Sequence, residues 1–208
     1  MTLPSRRAFA TAAMASLLVS CGGHGAGQDT DTAERPRSTP PPSRPSAETG
    51  GPAEALKRSV PVGIRIPAIG VDTPVMQLGL AADGTVEVPP IAADDRAGWY
   101  RHSPTPGQTG PSVILGHVTV GAYGEGVFRH LARLRRGERI VARLENGKAA
   151  VFTVSTVRTV AQADFPTDEV YGNVGRPELR LITCGGPHTS DGYRDSVIVF
   201  AALSSASP

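Results

Sequence analysis

The chain has 208 residues, 39% of them hydrophobic, with 24 glycines and 19 prolines. That suits one domain with a real core and many turns or a flexible segment. Arg6 and Arg7 are the only charged residues before Cys21, so without residues 1–20 the chain carries 19 Lys and Arg against 19 Asp and Glu; this neutral balance gives no electrostatic footprint for nucleic-acid binding.

Residues 1–20 have the layout of an export signal. Arg6 and Arg7 are followed by an apolar run from Ala8 to Val19, then by small residues ahead of Cys21. The run is too short for a comfortable membrane span. Leu18-Val19-Ser20-Cys21 resembles the lipobox of bacterial lipoproteins, in which the cysteine is lipidated and the preceding peptide removed. Ser5-Arg6-Arg7-Ala8-Phe9 resembles a twin-arginine export motif. The expectation is a chain held outside the cytoplasmic membrane by lipid on Cys21, with an uncleaved signal anchor as the alternative. Residues 21–58 read as a disordered tether. They are rich in Gly, Pro, Ser, Thr and charge, with almost no large apolar residue before Leu56, so they cannot offset their ordering entropy by burial. Their prolines favour an extended spacer.

Residues 59–208 read as one all-β domain. Alternating or β-branched runs fall at 60–71, 73–80, 84–90, 111–117, 138–144, 149–160, 179–184 and 196–203. Asn146-Gly147 between two of these runs is a strong hairpin signal. Val127–Leu134 and Asp168–Gly172 read as helical. Many short strands with frequent turns imply a sandwich or a barrel.

Three polar residues stand at the ends of apolar runs: His117 after "SVILG", Cys184 after "LRLIT" and Arg194 before "DSVIVFAAL". If Cys21 carries lipid, Cys184 has no intramolecular disulfide partner. Alone it is either an inert buried cysteine or a reactive thiol. A thiol of ordinary pKa is only a few per cent thiolate at neutral pH. A histidine beside it can hold it as an ion pair or carry its proton, and an arginine can stabilise an oxyanion or hold substrate carbonyls. Gly185 and Gly186 would let a substrate backbone approach the sulfur.

The stretches "VILGHV", "LRLITCGG" and "GYRDSVIVFA" together resemble the signatures of sortases, bacterial cysteine transpeptidases. The wider stretches "AGWYRHSPTPGQTGPSVILGHV" and "FPTDEVYG" most resemble the class F sortases of actinobacteria. The resemblance covers roughly Val60 to Leu203. It implies an eight-stranded β-barrel with one or two short helices, and a catalytic set of His117, Cys184 and Arg194. Substrate contacts are expected from Thr183 and Gly185, and also from Trp99, although Trp99 and Tyr100 read more readily as core or groove packing than as ligand contacts. It implies attack by Cys184 on an LPXTG-type sorting signal of a surface protein, a thioester, and resolution by an amine such as one on a cell-wall precursor. The implied protein is a monomer, without cofactor. Where the class F pattern has an acidic residue two positions after its histidine, Thr119 stands here. A peptidase that only hydrolyses, and a non-catalytic lipoprotein that binds wall peptides, are the alternatives.

The rival histidines are weaker candidates. His188 follows Cys184 in what reads as a loop, and His130 reads as a solvated helix face. A zinc site from Cys184, His188 and His117 lacks a fourth ligand. Asp94, Asp95, Asp164, Asp168 and Glu169 are too scattered in sequence for calcium, so no metal is expected.

Overall fold

The computed structural model describes residues 54–92, 96–189 and 192–207. The expected export signal, Cys21 and the tether up to residue 53 lie outside the described residues, as do Asp94 and Asp95. The chain meets the domain before its first strand, since Leu56 packs against the core and its N–H donates to the Gly107 carbonyl at 2.8 Å.

Eight strands follow: β1 (Pro61–Ile66), β2 (Val71–Leu78), β3 (Ala97–Tyr100), β4 (Gly110–Leu115), β5 (Arg139–Leu144), β6 (Ala149–Ala161), β7 (Pro177–Thr189) and β8 (Gly192–Ser207). They close into a barrel in the order β1-β2-β3-β4-β7-β8-β6-β5. Pairing is antiparallel apart from β2 with β3 and β4 with β7. One short α-helix, α1 (Thr167–Tyr171), lies between β6 and β7. The all-β, eight-stranded barrel expected from the sequence is the fold observed.

Local assignments differ in four places. The run at 84–90 makes no strand: Leu80 and Val86 form an isolated bridge, and Pro89 and Pro90 bring no N–H to a ladder. The missing strand is β3, whose small, aromatic sequence "AGWY" shows no alternation. Val127–Leu134 is a turn leading into one turn of 3-10 helix, Leu131–Arg133. Its Phe128, Leu131 and Leu134 are buried in the core, so the apolar spacing serves to plug the barrel rather than to build a helix. The residues after Cys184 continue β7 to Thr189 instead of forming a loop. The β5–β6 turn spans four residues, with Gly147 at φ +81.

Two apolar clusters sort the side chains by strand parity. Ile114, Leu179, Leu181, Val197 and Val199 fill the barrel interior, around Trp99 and Phe152. Val113, Ile182, Ile198 and Phe200 form an outer cluster under α1, joined by Leu115 and Tyr171. Beside this outer layer sits a charge cluster in which Glu178 and Arg180 are buried and Arg176 is exposed. Glu178 pairs with Arg176 at 2.5 Å and with Arg180 at 2.6 Å, and Arg180 lies 4.6 Å from the Phe200 ring centre. Arg180 also donates to the Glu169 carbonyl at 3.3 Å, tying α1 to the sheet.

Burial is the largest single influence on the Glu178 carboxyl and raises its pKa. The hydrogen bonds and charges of Arg176 and Arg180 together outweigh it, so the net shift is downward. A depressed folded pKa contributes stability above the unfolded value, near ~4.3, that is lost as pH falls through the folded value. Glu178→Ala should destabilise the fold by about 3–5 kcal/mol at neutral pH, because the buried Arg180 loses its counter-charge. Denaturant titrations should show that difference shrinking as pH is lowered below about 4. A pH-independent difference would mean that the carboxylate charge is not what holds the cluster.

Candidate active site

The parallel pairing of β4 with β7 sets Leu115 against Ile182, and the Gly116 N–H continues the ladder to the Ile182 carbonyl at 3.1 Å. His117 follows two residues after the end of β4, on the β4 side of the β7 segment that carries Cys184. On the other side of β7, Cys184 pairs with Ser196 and Gly185 with Asp195 of β8. A β-bulge follows. Gly185 pairs with Asp195 and His188 with Tyr193, so Gly186 and Pro187 together face the single residue Arg194.

His117, Cys184 and Arg194 therefore occupy the same end of three neighbouring strands. Strand spacing of about 4.8 Å keeps their backbones within roughly 10 Å. Parity adds direction. Cys184 shares the strand parity of Ile182, and Arg194 that of Ile198 and Phe200, the parity of the outer cluster.

The backbone of His117 is clamped. Its carbonyl accepts the Phe128 N–H at 2.9 Å, and the Gly126 N–H donates to the Val118 carbonyl at 2.9 Å. A Cβ on Gly126 would sit 2.3 Å from the His117 carbonyl oxygen, so only glycine fits there. The half-buried imidazole places Nε2 2.5 Å from the Pro89 carbonyl oxygen. Thr119 is engaged elsewhere, by the Tyr193 hydroxyl at 3.2 Å.

Cys184 is exposed to solvent and forms no disulfide. Partial burial of its sulfur pushes the thiol pKa above the ordinary value, and no neighbouring charge offsets this. After Cys184, Gly185 has no room for a side chain, since a Cβ would lie 2.7 Å from a Val197 methyl. Gly186 sits at φ +74 with the Asp195 carboxylate where its Cβ would be. Both glycines are structural requirements of the bulge as well as open approaches to the sulfur.

Of the expected substrate contacts, Thr183 and Gly185 line a cavity of about 180 Å³ shared with Cys184, Phe128, Arg129 and Tyr193. The Thr183 hydroxyl is buried and has no hydrogen-bond partner. Trp99 is placed elsewhere and is corrected from a substrate contact to a core residue. It is 0% exposed in the barrel interior, and its indole N–H donates to the Pro104 carbonyl at 3.2 Å. His130 is bonded by Arg129 Nε at 3.3 Å, and exposed His102 packs edge-on to Tyr100. Sequence reading passed over Pro89, Gly126 and Phe128. The glycine at 126 was visible as a possible close approach, whereas a proline carbonyl gives no sequence signal.

With a raised pKa, Cys184 alkylation by iodoacetamide in the resting chain should be slow at neutral pH and climb through pH 9 without an earlier plateau. Mass spectrometry assigns the adduct to Cys184 rather than Cys21. A plateau at or below neutral pH would instead mean a thiolate held by a charged neighbour.

A family model for the sortase domain matches residues 64–204. Among solved structures, sortase A from Corynebacterium diphtheriae superposes with a TM-score of 0.54 at 22% identity, covering 71% of this chain and 62% of that one. A Clostridium perfringens sortase transpeptidase gives 0.51 at 23% identity, covering 70% and 79%. A sortase of Actinomyces oris gives 0.53 at 22% identity, covering 77% and 89%. No curated protein matches the chain. These structural likenesses establish the shared barrel, and the domain match spans most of the sequence. The chain belongs to the sortase family of cysteine transpeptidases.

Proposed function

We propose that the chain is a class F-type sortase that cleaves an LPXTG-type sorting signal and transfers the acyl fragment to an amine on a cell-wall precursor. The observation that carries this reading is the topology, which puts the end of β4, two residues before His117, and the start of β8, which holds Arg194, on either side of the β7 segment that bears Cys184. The stretches Ala97–Val118 and Phe165–Gly172 support the class.

In this mechanism His117 takes the Cys184 proton as sulfur attacks the threonine carbonyl of the signal. Arg194 donates hydrogen bonds to the oxyanion, or to a neighbouring carbonyl that orients the peptide. The C–N bond breaks, the leaving amine takes the proton from His117, and a thioester to Cys184 remains. An incoming amine gives a proton back to His117 and attacks the thioester. A new amide forms and the thiol is restored. Thr183 and Gly185 shape the approach to the sulfur.

The full chain with an LPXTG-type peptide and triglycine should yield the threonyl-triglycine product and a Cys184-linked acyl adduct by mass spectrometry. Cys184→Ala should lose turnover by about 10³-fold or more, with an unchanged circular dichroism spectrum. No adduct and no product across a panel of peptides would refute the enzyme reading. An adduct resolved only by water would make the protein a hydrolase.

The same proposal places the enzyme outside the cytoplasmic membrane, anchored by lipid on Cys21, with residues after it reaching toward the wall. Metabolic labelling with a radioactive fatty acid should mark the wild type and leave Cys21→Ala unlabelled. Label retained by the variant would exclude this anchor.

A further inference from the structure

Among the described residues, the imidazole of His117 is met by Pro89 of the connection between β2 and β3 (residues 79–96). Pro89 is buried, while Val88 is 59% exposed and Pro90 is also exposed. Buried Pro89 puts its carbonyl oxygen 2.5 Å from His117 Nε2.

We propose that the Pro89 carbonyl is the positioning group of His117: it accepts the Nε2 proton and so leaves Nδ1 as the nitrogen that exchanges a proton with Cys184. This rests on His117 being the acid/base of the transpeptidase.

The chemistry of the two partners carries the assignment. A carbonyl oxygen only accepts, so Nε2 must bear hydrogen. In the neutral ring the lone pair then lies on Nδ1, and in the cation both nitrogens bear hydrogen. The bond to Pro89 thus survives both protonation states of the cycle, and the ring need not turn between taking a proton from sulfur and giving it to the leaving amine. A side-chain or backbone acceptor on the far nitrogen is the usual way in which a histidine tautomer is set.

The surroundings make the acceptor rigid. Two successive prolines each lock φ near −65°. The base of the connection is pinned where the Glu87 N–H meets the Gly79 carbonyl at 3.1 Å and the Gly79 N–H meets the Glu87 carboxylate at 2.5 Å. On the other side, Phe128 and Gly126 hold the His117 backbone. The imidazole is therefore fixed both from its own main chain and from its distal nitrogen. Thr119, bonded by Tyr193, does not supply this function.

The test has a spectroscopic arm and a kinetic arm, both on the full chain. Long-range ¹H–¹⁵N spectra of ring-labelled wild type should show neutral His117 protonated at Nε2. A ring protonated at Nδ1 would overturn the proposal without any variant. In the kinetic arm, residue 90 is changed to alanine and, separately, to the corresponding α-hydroxy acid. The resulting ester weakens the Pro89 carbonyl as an acceptor and removes no native N–H donor. Relative to Pro90→Ala, the ester chain should lose about three- to tenfold in kcat, the range of one neutral hydrogen bond, with KM within about twofold and a mixed tautomer spectrum. Unchanged or increased kcat would overturn the proposal, an increase marking the connection as a strap that blocks the site. His117→Ala separates the two layers: an active His117→Ala chain removes the acid/base role itself, whereas an inactive one beside an unaffected ester chain removes only the part played by Pro89.

Discussion

The parallel ladder between β4 and β7 is the constraint on which the site depends. Parallel neighbours cannot be joined by a tight turn, so the chain must leave β4, build other structure and return. Here it builds the plug at Phe128–Leu134, the β5–β6 hairpin and α1 before β7 enters beside β4. Register then sets the end of β4, just before His117, alongside the middle of β7, just before Cys184, although the two are far apart in sequence. A slip of one residue would send both side chains to the opposite face of the wall. The interior packing of Ile114, Leu179 and Leu181 against Trp99 opposes that slip, because each would have to leave the core. Site geometry and core packing are thus one problem with one solution.

The electrostatics follow the same economy of parts. The reactive sulfur is not charged in advance by an arginine or a histidinium. Partial burial raises the Cys184 thiol pKa, and no charged group is among the causes of that shift. Fixed donors and a fixed imidazole need little reorganisation when charge develops. Charge that is fully paired lies away from the sulfur, in the Glu178–Arg176–Arg180 cluster, where it secures α1 against the barrel.

Most of the fold was legible because period-2 alternation survives in β1, β2, β5, β6 and β8. It was illegible where other forces set the backbone. In β3 the sequence "AGWY" is small and aromatic, since Gly98 lies where a Cβ would overlap Leu78. The run at 84–90 alternates well but ends in two prolines that cannot join a ladder. Phe128, Leu131 and Leu134 have helical spacing because a plug, like a helix, presents one apolar side. The three polar strand ends could be read as a set because each terminates an apolar run. Trp99 could not be placed, since a buried indole and a groove-lining indole look alike in sequence. The Pro89 carbonyl was invisible because main-chain acceptors carry no residue code.

Closure of the barrel has a consequence for recognition. With β5 paired to β1 the ring closes, and its edges are spent on neighbours except where strand lengths differ. β7 runs on to Thr189 although its β4 partners end opposite Ile182. The stretch of main chain left without β4 beside it begins at Thr183 and includes Cys184. Closure thus confines any further strand pairing on this side of β7 to the segment that carries the thiol.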